Sequence, residues 1–166
     1  VYRHEIVVAN GRYQMSLSEV DSLDSTVVEL VTDTDLIGYG ETTPLGPTYQ
    51  EQHALGARAA IEAMAPALIG TDPRRTSLVY ERMDAALNGH RYAKSAIDVA
   101  CWDLTGKAYE ERVCDLLGGT NHKTVRSYYG VMPNTAARTA DAARKKEAEG
   151  YDRIQVKAGG RPLADD

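Results

Sequence analysis

The order of hydrophobic and polar residues divides the chain into a β-rich beginning, a helical middle and a second β-rich part. Up to residue 41, short runs with β-branched residues alternate with the turn signals Asn10-Gly11 and Asp33-Thr34-Asp35. The pattern predicts strands over residues 5–9, 26–31 and 36–41. We expect these strands to form an antiparallel meander.

Residues 14–25 lie between the first two predicted strands. They are rich in Ser and Asp and show no clean periodicity, so we predict a mobile loop that is long enough to act as a lid. Residues 42–49 combine proline, glycine and threonine, which predicts a connection into the helical part.

Helical periodicity begins near residues 48–50 and predicts a first helix with one apolar face. Pro66 lacks an amide hydrogen and should break or kink this helix at about Ala65. A second helix is predicted to begin at Asp72-Pro73, because aspartate is a good N-cap and proline suits the first helical position.

The third helix is predicted over residues 92–109. One stripe of small and aliphatic residues follows its length, namely Ala93, Ala96, Ile97, Ala100 and Leu104. Since Val99, Cys101 and Trp102 occupy other faces, we expect a helix that is buried on most sides and closely approached along its alanine side. A short helical turn over residues 113–117, capped by Gly118-Gly119, should follow.

The organisation changes near residue 120. A strand over 125–131, a helix over 135–149 with Asn134 as its cap, and a strand over 153–156 together predict one parallel βαβ unit. Lys157 stands at the exit of the last strand, before Gly159-Gly160. Ligands bind at the carboxyl ends of such strands, so Lys157 is either a working residue or a solvated lysine at a strand end.

A single crossover cannot close a sheet into a barrel, and a (β/α)₈ barrel takes about 250 residues. We therefore expect a complete first domain over residues 1–119 and only the opening of a second over 120–166, as in a fragment of a longer subunit.

Composition narrows the classes of function. The net charge of −5, with both signs interspersed, argues against binding to nucleic acid or to an anionic membrane surface. No apolar run is long enough to span a membrane and no signal peptide is visible, so we expect a cytoplasmic protein. Cys101 and Cys114 have no metal-ligand spacing and are expected to be buried thiols.

Four strings in this order resemble the enolase superfamily, and more narrowly its mandelate racemase and muconate lactonizing enzyme group. They are Ile37-Gly-Tyr-Gly-Glu41, Ala93-Lys-Ser-Ala-Ile-Asp-Val-Ala-Cys-Trp-Asp-Leu-Thr-Gly-Lys107, Leu116-Leu-Gly-Gly119 and Ile154-Gln-Val-Lys-Ala-Gly159. Within the group, residues 46–56 and 155–162 are most similar to 4-hydroxyproline betaine 2-epimerases and cis-3-hydroxy-L-proline dehydratases.

The resemblance implies an α+β N-terminal capping domain followed by the start of a (β/α)₈-type (TIM) barrel, which is incomplete in this chain. It also implies Mg²⁺-assisted removal of the proton next to a carboxylate, with Lys157 as the catalytic base. The acidic ligands of Mg²⁺ and a second, opposing lysine are expected beyond residue 166, so this stretch alone should be inactive and holds no predicted metal ligand. Many relatives have Lys-x-Lys at this strand end, whereas Lys157 is followed by Ala158-Gly159 as in the proline-derivative enzymes.

Two tyrosines are candidate substrate-binding residues. Tyr49 lies in a loop expected to face the barrel mouth, where its ring would suit a quaternary ammonium group, although it is equally expected to pack on the first helix. Tyr129 lies on the first barrel strand, but the alternation along a strand does not say which end of it Tyr129 occupies.

Other polar residues have structural interpretations. Asp103 and Lys107 are spaced i, i+4 and are expected to form an ion pair that holds their helix. Asp98 is expected to be a hydrogen-bonded structural residue, and His53 and His90 are expected to be caps or surface groups rather than ligands.

These observations lead to an isomerase that epimerises or racemises a proline-derived amino acid or betaine, a small-molecule carboxylate, and that forms a homo-oligomer. The alternative within the same chemistry is a dehydratase of a hydroxyproline, in which the same proton abstraction precedes loss of a hydroxyl group. The alternative of another class is a non-catalytic α+β module in which Lys157 only contacts an anion.

Overall fold

The computed structural model describes residues 1–9, 11–15, 18–132 and 134–157, with the side chain of Gln14 excepted. The predicted turn residue Asn10 and the predicted glycine exit, Ala158-Gly159-Gly160, lie outside these residues. The chain divides into two compact units. The first comprises Val1–Ala9 and Ser22–Thr120, and the second comprises the described residues of Asn10–Asp21 and Asn121–Asp166.

A three-stranded antiparallel sheet in the order β1-β4-β5 forms one layer of the first unit. Its strands are β1 (Tyr2–Val7), β4 (Ser22–Val31) and β5 (Ile37–Thr42), so the predicted meander is confirmed. The first strand begins and ends earlier than predicted, because its residues from Tyr2 onward pair with β4 from Val27 back to Ser22.

The prediction of a mobile loop over residues 14–25 is wrong for most of that segment. Two short strands, β2 (Tyr13–Gln14) and β3 (Glu19–Val20), pair as an antiparallel hairpin, and β4 has already begun at Ser22. Pairing with a partner strand, which local periodicity does not reveal, decides the conformation here.

The helical layer of the first unit consists of four helices. They are α1 (Ala54–Leu68), α2 (Thr76–Ala86), α3 (Arg91–Tyr109) and α4 (Val113–Leu116). Their apolar faces meet the sheet around Val28, and the core includes Ile61, Met64 and Met83, each at most 2% exposed. The predicted stripe of α3 is buried throughout, but Val99 is 48% exposed, so this helix is covered on one broad face rather than on most sides.

Two helices begin at other residues than the sequence predicted, and in each case a side-chain hydrogen bond explains the difference. The first helix begins at Ala54 rather than near residue 50. His53 is its N-cap, as expected, and the His53 imidazole accepts a hydrogen bond from the Gly56 amide at 3.2 Å. Asp72 forms a turn instead of capping α2, since its carboxylate accepts from the Arg74 backbone and guanidinium.

Pro66 neither breaks nor ends α1 at Ala65, because the helix continues to Leu68. The proline lies in the last turn, where only one intrahelical hydrogen bond is lost to its missing amide hydrogen. The predicted break is therefore wrong.

The closest approach in the first unit joins β5 to α3. A Cβ atom added to Gly40 would lie 1.9 Å from the Ala96 carbonyl oxygen, and one added to Gly38 would lie 2.4 Å from the Ala100 carbonyl oxygen. Glycine on the strand and alanine on the helix thus let the two backbones meet directly. The prediction of close approach along the alanine side is confirmed.

Two side chains of α3 form hydrogen bonds with the backbone groups at the open edge of β5. The Asp103 carboxylate accepts a hydrogen bond from the Tyr39 amide at 2.9 Å, and the Lys107 ammonium donates to the Ile37 carbonyl at 2.8 Å. The two side chains also form the predicted ion pair at 2.7 Å. This arrangement covers an edge strand whose backbone groups would otherwise be unpaired.

The second unit contains a parallel pair of strands, β6 (Tyr129–Val131) and β7 (Ile154–Val156), joined by α5 (Ala136–Ala148). The predicted βαβ unit is confirmed, although β6 is shorter than the predicted strand over 125–131. Val125 is 92% exposed, and pairing starts only where β7 supplies a partner. Thr135 rather than Asn134 occupies the N-cap position of α5.

We predict that Gly40→Ala destabilises the protein by at least about 2 kcal/mol, because the new methyl group must displace helix backbone rather than a flexible side chain. Urea unfolding would measure the change. The matched control is Gly56→Ala, where the nearest atom is the tip of the His53 ring at 3.4 Å and alanine favours the helix. Equal stability of the two variants would contradict the proposed close packing.

We predict that Asp103→Asn lowers the free energy of unfolding at neutral pH by about 1 kcal/mol, a modest value because the Asp103 side chain is 34% exposed. Burial raises the pKa of Asp103, but the hydrogen bonds from Lys107 and the Tyr39 amide outweigh it and hold the pKa below 3.8. The stabilisation by the Asp103 carboxylate is therefore fully present above pH 3.8. It is lost as the pH falls through the lowered pKa that Asp103 has in the folded state.

Urea unfolding over a pH series would test this, with Asp33→Asn, an exposed turn residue, as the control for loss of one negative charge. A difference between wild type and Asp103→Asn that stays constant well below pH 3.8 would rule out the carboxylate as its source.

Candidate functional site

Lys157 lies at the carboxyl end of the parallel pair of strands. Its amide donates to the Val131 carbonyl at 3.2 Å, which extends the ladder one residue beyond the pair Val131 and Val156. The lysine therefore stands at the exit of the strand, as the sequence predicted, and its side chain is half-buried. Its role as a catalytic base stays a prediction.

The side chain of Lys157 shares one face of the sheet with Gln155 and with the bare backbone of Gly130. A Cβ atom added to Gly130 would lie 3.8 Å from the Lys157 Cε and 3.8 Å from the Gln155 Oε1. The absence of a side chain at Gly130 thus leaves room on this face directly beside the lysine.

Tyr13 of the β2–β3 hairpin contacts the Lys157 amine. The Lys157 Nζ donates a hydrogen bond to the Tyr13 hydroxyl and lies 4.3 Å from the centre of its ring. Both residues belong to the second unit although 144 positions separate them. Sequence reasoning missed Tyr13, because ten tyrosines are present and no local pattern distinguishes this one.

Tyr129 lies on the opposite face of the same strand pair from Gly130 and Lys157, because successive side chains alternate. Its ring meets Tyr151 edge-on at 5.4 Å, and the Lys146 ammonium of α5 lies 4.3 Å from its centre. Tyr129 therefore packs between sheet and helix. Its predicted contact with substrate is untested and is not favoured by this placement.

Tyr49 belongs to the first unit and lies in the loop before α1. Its side chain is 66% exposed, and its amide donates to the Gly46 carbonyl at 3.1 Å. The loop is held by Gln50, whose side chain accepts from the Leu45 amide at 2.9 Å and bonds to the Tyr92 hydroxyl. The ring is thus available to a ligand, and its role in substrate binding stays a prediction.

Cys101 and Asp98 of α3 are titratable groups with raised pKa values that do not suit a nucleophile. Burial, helped by the neighbouring Asp98, raises the pKa of the Cys101 thiol to about 12, so this thiol is neutral and a poor nucleophile. Burial also raises the pKa of Asp98. Cys101 is buried as predicted and Cys114 is half-buried; both are free thiols.

A cavity of about 770 Å³ lies in the first unit between the β4–β5 turn, the end of α1 and α3. Its inner wall is apolar and includes Val28, Ile61 and Leu104. The one thiol it exposes is that of Cys101, which is neutral. The inner wall of the cavity therefore offers volume and an apolar lining, and the charged residues Asp33, Asp72 and Arg74 lie among the rest of its lining.

The residues that the structure describes do not make a magnesium site. Over the described part of the chain, no group of three or more His, Cys, Asp or Glu side chains is arranged to hold a metal ion. The magnesium ligands expected beyond residue 166 stay a prediction. In the same described part, no helix is long and apolar enough to cross a membrane.

Comparison with known proteins identifies relatives over nearly the whole chain. A cis-3-hydroxy-L-proline dehydratase from Roseibium aggregatum is 42% identical over 161 residues, which is 96% of this chain and 44% of that protein. A hydrophobic dipeptide epimerase from Enterococcus faecalis is 32% identical over 149 residues, or 89% of this chain and 41% of that protein.

Solved structures also match nearly the whole chain. The crystal structure of a member of the enolase superfamily from Roseovarius nubinhibens, complexed with magnesium, is 35% identical and superposes with a TM-score of 0.89. The match covers 99% of this chain and 44% of that one. The chain thus spans less than half the length of the relatives it matches.

The family model described as the mandelate racemase / muconate lactonizing enzyme N-terminal domain matches residues 2–118. This range contains the sheet and helices of the first unit. The predicted α+β capping domain followed by the start of a barrel, incomplete in this chain, is confirmed; the exact boundary between residues 119 and 120 stays a prediction. The chain belongs to the mandelate racemase and muconate lactonizing enzyme family of the enolase superfamily.

Proposed function

We propose that the protein removes the proton next to the carboxylate of a proline-derived acid, with the Lys157 amine as the base. The observation that carries this proposal is the position of Lys157. It stands half-buried at the carboxyl end of a parallel strand pair, beside the space left by Gly130, with its amine held by a phenol. Ligands of βαβ sheets bind at this end.

The partner of the amine suits a base. A carbon next to a carboxylate is a weak acid, so the amine must meet the substrate in its uncharged form. An ion pair with a carboxylate would favour the charged ammonium. Among the ion pairs of the described residues none involves Lys157, and the contact with Tyr13 is to a neutral oxygen.

The role that we propose for Lys157 does not include binding magnesium. Relatives of this superfamily were solved with magnesium, but the described residues do not fit a magnesium site. We therefore propose only what Lys157 does: its amine takes up the proton, and the electron pair of the broken carbon–hydrogen bond passes into the carboxylate system.

Two outcomes can follow this shared step. In dehydration, the electron pair forms a double bond between the α and β carbons, and the β-hydroxyl leaves with a proton as water. In epimerisation, a proton returns to the opposite face of the α carbon. The 42% identical dehydratase supports dehydration as the first candidate, and the 32% identical epimerase supports epimerisation as the second.

This order reverses the expectation from sequence, which placed epimerisation first. A hydroxylated proline as substrate is supported by the name of the 42% identical dehydratase, and its betaine by the resemblance of residues 46–56 alone.

The alternative of another class is a binding module in which Lys157 contacts an anion without accepting a proton. We predict that Lys157→Ala in the full-length subunit lowers kcat by about 10²- to 10⁴-fold while ligand binding is retained, because the base is lost and the pocket is not. Steady-state kinetics and calorimetric titration would measure the two effects.

The matched control for this variant is Lys145→Ala, an exposed lysine of α5. We expect unchanged kinetics for the control. Unchanged turnover in Lys157→Ala would remove the lysine-base model, and loss of binding together with turnover would favour the anion-binding module.

We predict that full-length enzyme in D₂O converts cis-3-hydroxy-L-proline to a product that has lost one water, because a hydroxyl group on the β carbon can leave once the α proton is removed. Mass spectrometry would detect the loss. Deuterium entering the α carbon with the hydroxyl retained would show epimerisation instead. Neither change, in an enzyme active on another carboxylate, would contradict the proline-derived substrate.

A further inference from the structure

We propose that Tyr13 is a positioning residue for the Lys157 amine, which its phenolic oxygen holds in one orientation before and after proton transfer. This inference rests on the proposed role of Lys157 as the base. It concerns a residue in a hairpin far from Lys157 in sequence, and neither the family nor the relatives' names assign it a role.

The hairpin presents Tyr13 from a defined backbone. Tyr13 pairs with Val20 across the two short strands, and the Met15 amide donates to the Ser18 carbonyl at 2.9 Å. Arg12, the residue before Tyr13, forms ion pairs with Glu19 at 2.9 Å and with Asp21 at 3.0 Å. The hydrogen bond that Arg12 donates to the Glu19 carboxylate is the main cause of the raised pKa of Arg12.

The hydrogen bond between the Lys157 amine and the Tyr13 hydroxyl is compatible with proton uptake by the amine. A neutral lysine amine has two hydrogens to donate and one lone pair to accept a proton. The Lys157 Nζ donates to the Tyr13 oxygen, and in the uncharged form the amine still has two hydrogens with which to do so while its lone pair faces the substrate. After proton transfer the ammonium still donates to the same oxygen, so the contact survives the reaction.

Gly130 lies beside the Lys157 side chain on the same face of the strand pair. The Lys157 Cε lies 3.8 Å from the point where a Gly130 Cβ would stand. The Tyr13 hydroxyl thus holds the amine, and the absence of a side chain at Gly130 leaves the stem of the lysine uncrowded on this face. A phenol orients the amine without the Coulomb attraction that an aspartate or glutamate would add.

The test is Tyr13→Phe in the full-length enzyme, which removes the hydroxyl and keeps the ring. We expect kcat to fall about 10-fold with KM changed less than about 2-fold, because orientation of the base matters in the proton-transfer step. The primary isotope effect with α-deuterated substrate should rise as proton transfer becomes more rate-limiting. The matched control, Tyr128→Phe, changes an exposed tyrosine of the same unit and should leave all three values unchanged.

A second measurement needs no turnover. Acetic anhydride should acetylate Lys157 about 3-fold faster in Tyr13→Phe than in wild type, since the amine is released from its partner; peptide mass spectrometry measures this rate. If kcat, the isotope effect and the acetylation rate all match wild type, the positioning role is overturned. If Lys157→Ala keeps its turnover while Tyr13→Phe still alters acetylation, the proposed function fails and the contact stands.

Discussion

The direct contact between the backbones of β5 and α3 is the constraint on which the first unit depends. Gly38 and Gly40 leave no room for a Cβ atom against the carbonyls of Ala96 and Ala100. Because the strand lies this close, Asp103 and Lys107 can reach the unpaired edge groups of β5. The helix therefore supplies both the packing surface and the hydrogen bonds that end the sheet.

The candidate site depends on a different kind of contact, between parts of the chain that are distant in sequence. The βαβ unit places Lys157 at a strand exit, and the hairpin brings Tyr13 to its amine. The resulting pair is polar and carries no carboxylate. Such a pair orients the amine without placing a full negative charge beside it, which is compatible with the base role that we propose for Lys157.

Much of the fold was predictable because its signals are local. The alanine stripe of α3 repeats with the helical period, and the βαβ unit has a strand, a helix and a strand with short connections. The errors fall where local signals compete. Asp72 and Pro73 resemble a helix start, but Arg74 draws the Asp72 carboxylate into a turn. Pro66 resembles a break, yet the last turn of α1 tolerates it.

The sequence by itself determined the family, the order of the elements and the position of Lys157 at a strand exit, since each depends on neighbouring residues or on strings that relatives share. Only the tertiary structure decided that β2 pairs with β3, that Tyr13 meets Lys157 and that Tyr129 packs against α5. These facts depend on which strand pairs with which and on which face of a strand a side chain takes. Both are settled by long-range packing, which leaves no periodic trace in the chain.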